Sequence, residues 1–474
     1  MHEKPWLSKP GSPQGSVGHK HVEGKSGEPK PALSFADAVA VIIGIVVGAG
    51  IFRTPSLVAA NSESSTSFLL TWILGGAVSL VGALCYAELT TTYPHTGGDY
   101  HFLRQAFGRR LSFLFAWARM SVIQTGSIAL LSFIIGDYLA QIHSMGEFTS
   151  ALYAVLVVVA LTGINIIGVR VGTSAQNILV TLELLGILII LGAGFFFAPA
   201  ASSPLATEPT PEQGNSLGLA MVFVLLTFGG WNEAAYISAE LKTGRRGMAK
   251  VLVSSILIIT AIYALINVAY LHVLGLSGIA QSEAVAGDLM RRTFGEGGVV
   301  LIGLIVTVSA LTSVNATIFT GARTNYALGR DFKIFGALGK WNPQTSTPVN
   351  AFVVQGAISL ALIGLGLFTR NGFETIVEYT APVFWFFLMM VGISLFVLRR
   401  KNPLRERPFP VPFYPVTPLI FCLTSAYLFY SSLAYTGLGA LVGVIVLLLG
   451  ILLLLTLPMI DKALPAEVAP GSGN

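Results

Sequence analysis

Apolar residues run along this chain in long blocks separated by short polar stretches, without the alternation expected of half-buried strands. Blocks of roughly 20 apolar residues, the length of helix that crosses about 30 Å of hydrocarbon, recur twelve times. They lie near 36–60, 67–92, 111–141, 151–168, 174–198, 216–240, 249–274, 298–322, 349–369, 373–398, 412–434 and 437–459. The pattern predicts an all-α integral membrane protein of about twelve transmembrane helices. Two blocks are interrupted at their middles by glycine, at Gly44-Ile45-Val46-Val47-Gly48-Ala49-Gly50-Ile51-Phe52 and at Phe228-Gly229-Gly230-Trp231-Asn232, in matching places of the two halves. A helix opened inside a bilayer leaves N–H and C=O groups without partners, which is tolerable only where they line a cavity or hold a ligand. Paired, glycine-interrupted hydrophobic segments are the sequence pointer to the midplane site of a secondary transporter.

Composition agrees with lipid as the solvent. With 53% hydrophobic and only 11% charged residues, the 474-residue chain has too little polar surface to cover a water-soluble particle. The net charge of +5 is not a nucleic-acid signal, because the basic residues are sorted by side. With a cytoplasmic N-terminus, Arg104, Arg109, Arg110, Lys242, Arg245, Arg246, Lys250, Arg330, Lys333, Lys340, Arg399, Arg400, Lys401, Arg405 and Arg407 fall in inside loops. Outside loops hold only Arg291, Arg292 and Arg370. The positive-inside rule then predicts a multi-pass protein of the plasma membrane with both termini cytoplasmic.

Residues 1–33 are rich in Pro, Gly, Ser, Lys and His and cannot bury enough surface to offset ordering entropy, so a disordered cytoplasmic tail is expected, without a cleaved signal peptide. Cys85 and Cys422, the two cysteines, both lie in predicted spans, so no disulfide framework and no disulfide-linked heavy subunit is expected. The seven histidines show no CxxC or HExxH spacing, and no GxxxxGK[ST] loop or nucleophile elbow is present. No metal, no cofactor, no ATP coupling and no enzymatic activity is therefore expected.

Gly48-Ala49-Gly50-Ile51-Phe52 with Pro55, Cys85-Tyr86-Ala87-Glu88-Leu89 running to Gly97-Gly98-Asp99-Tyr100, Phe228-Gly229-Gly230-Trp231-Asn232, and Ser313-Val314-Asn315 followed by Arg323 carry a resemblance. Together they are similar to the amino acid-polyamine-organocation superfamily, and within it to the L-type amino acid transporter branch, over roughly residues 34 to 460. The resemblance implies the LeuT-type fold with broken helices 1 and 6. Residues 34–198 (spans 1–5) and 216–398 (spans 6–10) would form inverted repeats, 412–460 two added spans, and 461–474 a cytoplasmic tail.

An amino acid zwitterion needs donors for its carboxylate and acceptors for its ammonium, and a broken helix offers both. The amides of Gly48, Ala49 and Gly50 are expected to hold the carboxylate, and the carbonyls of Val46 and Leu226 the ammonium. Phe228, Gly229, Trp231 and Asn232, with Gln124 and Ser127 in span 3, are candidates for side-chain selectivity. In the related branch the gating aromatic often stands three residues before the Gly-Gly pair; here that position is Leu226, leaving Phe228 as substitute or the pocket roomier.

Ionisable residues inside spans are costly and therefore informative. Arg53 is expected in the outer vestibule, against Glu374 or Glu378 or facing an acidic substrate. Glu183 occupies a segment, Gln176 to Leu185, that resembles one carrying lysine at this position in the family. Three roles are open for it: partner of Arg119, protonatable coupling site whose charged form burial disfavours, or sodium ligand. Glu233 is expected to cap the second half-helix or to meet a cationic substrate, and Glu240 to pair with the basic loop Lys242 to Arg246. The reading is secondary active amino acid transport by alternating access, as exchanger or proton-coupled symporter, with amino acid, lipid bilayer and possible protons as partners. Polyamine or cationic amino acid transport is the alternative; a channel or membrane enzyme would need a polar file or a clustered catalytic set that the chain does not display.

Overall fold

The computed structural model of the protein describes residues 32–48, 50–143, 145–146, 148–197, 217–242, 245–282, 284–366, 372–436 and 440–463; the side chains of Arg53, Glu374 and Glu378 also fall outside that description. Span 1 is split into α1 (Phe35–Val46) and α2 (Gly50–Ala60), and span 2 is α3 (Ser65–Thr92). A short amphipathic helix, α4 (Asp99–Phe107), leads to span 3, which runs through α5 (Arg109–Ala118), a π turn (Arg119–Ile123) and α6 (Gln124–Ile142). Spans 4 and 5 are α7 (Thr149–Ile167) and α8 (Val169–Gly192). Span 6 is α9 (Leu217–Thr227), a break, a 3-10 turn (Trp231–Glu233) and α10 (Ala234–Ile237). Then follow α11 (Arg245–Ala280), the short α12 (Val285–Phe294), α13 (Glu296–Asp331), α14 (Val349–Gly366), α15 (Gly372–Lys401), α16 (Val416–Thr436) and α17 (Ala440–Ala463).

Each predicted apolar block is helical among the described residues, apart from the two glycine breaks. Among the described residues nine helices are long and apolar enough to cross a membrane, and three shorter apolar ones fall in spans 1, 9 and 12. The described residues contain no β-strand, only the isolated bridges Leu33 to Leu241 and Asn342 to Thr347. The amphipathic helices α4 and α12 were not expected from block hydrophobicity, since a nine- or ten-residue helix carrying its own charges produces no apolar run.

Local chemistry sets the helix ends near the site. Ser34 caps α1: its Oγ accepts from the Asp37 amide at 3.1 Å, and its own amide donates to the Asp37 carboxylate at 2.8 Å. A reciprocal box of this kind contributes about 1 kcal/mol. The chain before it is not free, as the tail reading of 1–33 had it: the Ala32 and Leu33 amides both donate to Glu240 O, and the Lys242 amide to Leu33 O. Further ties from Arg104 to Asp331 and from Lys401 to Ala106 O gather the N-terminal segment and the loops after spans 2, 6, 8 and 10 at one end of the bundle, the basic end.

α3 packs along α11, α1 lies against α8, α11 and α13, and α2 lies against α9 and α11. This arrangement brings the two breaks face to face in the middle of the bundle. Lipid-side positions carry the exposed apolar residues, such as Leu70, Leu156, Ile178, Leu188 and Leu452.

Candidate functional site

The breaks touch directly, and glycine is what allows it. Gly230 has φ +110°, a left-handed value that favours glycine, and a Cβ there would sit 2.5 Å from Ile45 Cγ2. A Cβ on Gly48 would meet Ser313 Oγ at 2.8 Å, and one on Gly50 would meet Thr227 Cγ2 at 3.3 Å. Ala49 lies outside the described residues.

Carbonyls released by the breaks are claimed by hydroxyls from neighbouring spans. Tyr263 of α11, fully buried, points its hydroxyl at Val46 O (2.7 Å) and Thr227 O (3.0 Å), so one phenol joins the carbonyl ends of α1 and α9. Ser313 Oγ donates to Gly44 O and Ser309 Oγ lies on Val47 O, both at 2.9 Å. These contacts explain how an opened helix survives in hydrocarbon. They also change the ammonium assignment. Val46 O already receives the Gly48 amide (2.9 Å) and shares the single Tyr263 hydrogen with Thr227 O, and Leu226 O receives the Gly229 amide at 3.0 Å. The Leu226 side chain, at the position of the family's gating aromatic, is 38% exposed and is not packed into the core as Phe228 is.

Phe228 is wholly buried against Tyr263 (ring centroids 4.8 Å apart) and Trp72 (6.5 Å), an aromatic brace behind the break. Gly229, Trp231 and Asn232 line a narrow, mostly apolar cavity on the other side, with Ser79, Trp385, Phe421 and Ser425. Gln124 and Ser127 bond elsewhere: Gln124 donates to Thr317 O (2.8 Å) and Thr320 Oγ1 (3.2 Å), fastening α6 to α13, and Ser127 donates to Ile123 O of its own helix.

The expected ion pairs are rewired. Arg119 does not meet Glu183; its guanidinium bonds Glu233 at 2.5 Å, both side chains buried, and lies 4.1 Å over the Tyr236 ring. Spans 3 and 5 put the two residues at similar depth, but span 6 intervenes with its own carboxylate. Glu233 is accordingly a salt-bridge partner and not a helix cap. Glu240 turns inward from the basic loop and forms a two-point pair with Arg323 (2.6 and 2.8 Å), with side-chain exposures of only 2% and 1%. Glu88 pairs with Arg399 and Arg407 and accepts from the Val411 amide. The Arg53 side chain and its expected partners Glu374 and Glu378 lie outside the described residues.

Glu183 is fully buried without a cationic partner among the described residues, and Ser309 Oγ contacts its Oε1. The Ser309 hydroxyl carries one hydrogen and faces two acceptors, Val47 O and Glu183 Oε1. Satisfying both contacts requires the carboxyl to donate, so the geometry suits a neutral, protonated Glu183.

Below the breaks the basic end is closed. The Glu240–Arg323 pair, the Leu33 to Leu241 bridge, and Asp331 held by Tyr100 and Arg104 (both 2.5 Å) seal it. Tyr263 and Ser309, the tightest ties of the breaks, went unnoticed in sequence; the usable signal was one of two tyrosines, Tyr263 and Tyr270, in a mostly apolar span, and the Ser309-x3-Ser313 pair, i and i+4, in another.

A bundle of apolar spans with two opened helices apposed at mid-depth, and one end sealed by buried ion pairs, defines a membrane transporter. The amino acid permease family matches residues 33–457, and the chain belongs to that family. It is 29% identical over 408 residues to b(0,+)-type amino acid transporter 1 of Mus musculus, covering 85% of this chain and 82% of that one. To the serine/threonine exchanger SteT of Bacillus subtilis it is 27% identical over 421 residues (87% and 94%). To the large neutral amino acids transporter small subunit 2 of Rattus norvegicus it is 28% identical over 437 residues (89% and 80%). The protein is an amino acid transporter of the multi-pass helical kind; its family and these relatives are transporters, not enzymes.

Proposed function

We propose that the protein is a secondary active transporter that moves zwitterionic amino acids across the plasma membrane by alternating access, with both termini cytoplasmic and the basic end facing the cytoplasm. Residues 34–198 and 216–398 act as inverted repeats rocking about the breaks, with 412–460 packed outside. One observation carries the reading: the carbonyl ends of α1 and α9 converge on the Tyr263 hydroxyl while the amide ends of α2 and the 3-10 turn open beside them, which supplies the negative and positive dipole ends a zwitterion needs. The Gly50 amide at the start of α2 serves the carboxylate; the Gly48 amide, expected to share that role, is already given to Val46 O. With Val46 O so engaged, the ammonium goes to the Thr227 side of the Tyr263 bridge, next to Leu226 O.

Cationic substrates fit less well, because Glu233 is compensated by Arg119 and offers no net charge to a second ammonium. Exchange is favoured, since a relative is named a serine/threonine exchanger; a neutral Glu183 beside the span 1 break keeps proton coupling as the second mode. Another relative is named a small subunit. In this chain the two cysteines lie in α3 and α16, so a disulfide-linked heavy subunit is not part of the proposal.

Uptake of radiolabelled amino acids and polyamines into proteoliposomes, with and without internal amino acid and with and without an inward proton gradient, tests this. Uptake only against internal amino acid establishes exchange, gradient-driven accumulation establishes symport, and uptake of polyamines alone refutes the substrate class.

A further inference from the structure

Where α3, α4, the π turn of span 3 and α10 meet, just inside the sealed basic end, a carboxyl is buried that amino acid recognition does not use. Asp99 opens α4 directly after Gly98, whose φ is +48° and whose added Cβ would strike the Tyr236 ring at 2.5 Å, so α4 abuts the helix that follows the span 6 break. Asp99 is 3% exposed, and among the described residues no hydrogen bond of ordinary geometry reaches its Oδ1; its neighbours Tyr86 and Tyr236 turn their hydroxyls close to the carboxyl without completing one, and Arg119 Nε is likewise unbonded. The guanidinium of Arg119 is bonded to Glu233 instead, and those two charges cancel. An ionised Asp99 would thus be an excess buried charge, which protein interiors avoid by taking up a proton.

We propose that Asp99 is a proton-binding site of the basic gate: it holds a proton while α10 rests on α4 and releases it when that end opens and water reaches it. Burial pushes the carboxyl up to about 7 from an ordinary 3.8, with Arg119 pulling it down, Glu233 pushing it up, and the Tyr86 and Tyr236 hydroxyls pulling it down as close hydrogen-bonding neighbours. The other groups around it are accounted for. His101 is kept neutral by burial, with His95, Arg104 and Arg405, its value lowered to about 3. Asp331 of α13 is held by Tyr100 and Arg104, and Arg323 by Glu240. From α15, Arg399 is paired with Glu88, and Lys401 donates to Ala106 O. The closed form binds the extra proton between the two values, so acid favours closure. Raising the pH through that window shifts the balance toward the open gate by up to about tenfold per unit.

The inference rests on the alternating-access reading, and its test needs no transported substrate. Ser238, 8% exposed beside α10, bonds the His95 amide across the gate. With Cys85 and Cys422 replaced by Ala, Ser238→Cys is labelled by an impermeant maleimide in inside-out vesicles, in the Asp99 parent and in Asp99→Asn. The ratio of parent to variant rates cancels the thiol's own titration. We expect it to rise at least severalfold between about pH 5 and about pH 8, because Asn mimics the protonated gate. A ratio flat with pH overturns the proposal, whereas loss of amino acid exchange with a rising ratio overturns only the substrate reading. Should Asp99→Asn fail to fold, Asp99→Glu keeps a titrating carboxyl on a longer stem; a displaced labelling midpoint sustains the site and an unchanged one overturns it.

Discussion

Replacing Glu233 by Leu leaves the Arg119 guanidinium buried beside Tyr236 without its carboxylate, and replacing Arg119 by Met strands Glu233 in the same way. The two side chains are 8% and 3% exposed and 2.5 Å apart, so water cannot compensate either survivor. Breaking a buried pair from one side costs about 3–5 kcal/mol, whereas exchanging both members for apolar residues of similar size is close to neutral. Arg119→Met with Glu233→Leu is therefore expected to end near the parent and to recover most of what the two single changes lose, a coupling of about 6 kcal/mol or more. In detergent each single variant should lower the apparent thermal midpoint by roughly 5–10 °C, followed by the loss of monodisperse protein on gel filtration, with the double variant returning near the parent. Arg119→Met combined with Glu183→Gln is the control; residues without contact should add. Single variants indistinguishable from the parent, or an additive Arg119/Glu233 double, would refute the pairing and the gate geometry built on it.

Gly50→Leu is expected to reduce uptake to background at unchanged membrane abundance, because a side chain starting 3.3 Å from Thr227 Cγ2 fills the space between the breaks; normal uptake refutes the site. Tyr263→Phe removes the one buried donor that two carbonyls share and should cost about 1–3 kcal/mol. An amino acid's ammonium can take the donor's place, so saturating substrate should raise this variant's thermal midpoint more than the parent's; equal shifts argue against ammonium binding there. Glu183→Gln should leave stability within about 1 kcal/mol of the parent, since the amide can donate to Ser309 as a protonated carboxyl does. If Glu183 carries a coupling proton, the same variant loses gradient-driven accumulation and keeps exchange, read in the proteoliposome assay; if accumulation persists, Glu183 is structural.

The twelve spans were legible because hydrocarbon imposes one simple demand: every backbone group must be paired within the segment, over a fixed length of apolar residues. The breaks were legible for the converse reason, since Gly44 to Gly50 and Gly229-Gly230 are the places where that demand is broken. α4 and α12 escaped notice because short amphipathic helices at the bundle ends produce no apolar block. Chain order alone also suggested that residues 32–33 belonged to the tail, while backbone pairing with Glu240 and Lys242 holds them to the gate.

The partners of buried charges were another matter. Arg119 had Glu183 at equal depth and Glu233 near the span 6 break, and sequence offers depth but no azimuth; rotation of span 6 about its glycine break decides that Glu233 arrives. Glu240 stood next to four basic residues in sequence, Lys242, Arg245, Arg246 and Lys250, and chose Arg323, 83 positions away, because the turn after α10 points it into the bundle. Likewise Tyr263 joins two broken helices that are 181 residues apart at Val46 and Thr227, a contact that exists only once α11 packs between them. Composition and hydrophobic period thus settled what this chain is made for, lipid and an opened-helix site. Only packing, which fixes the rotation of each span about its own axis, determined which carbonyls are already spoken for, which carboxylates are neutralised, and that Asp99 is buried without a salt bridge among the described residues.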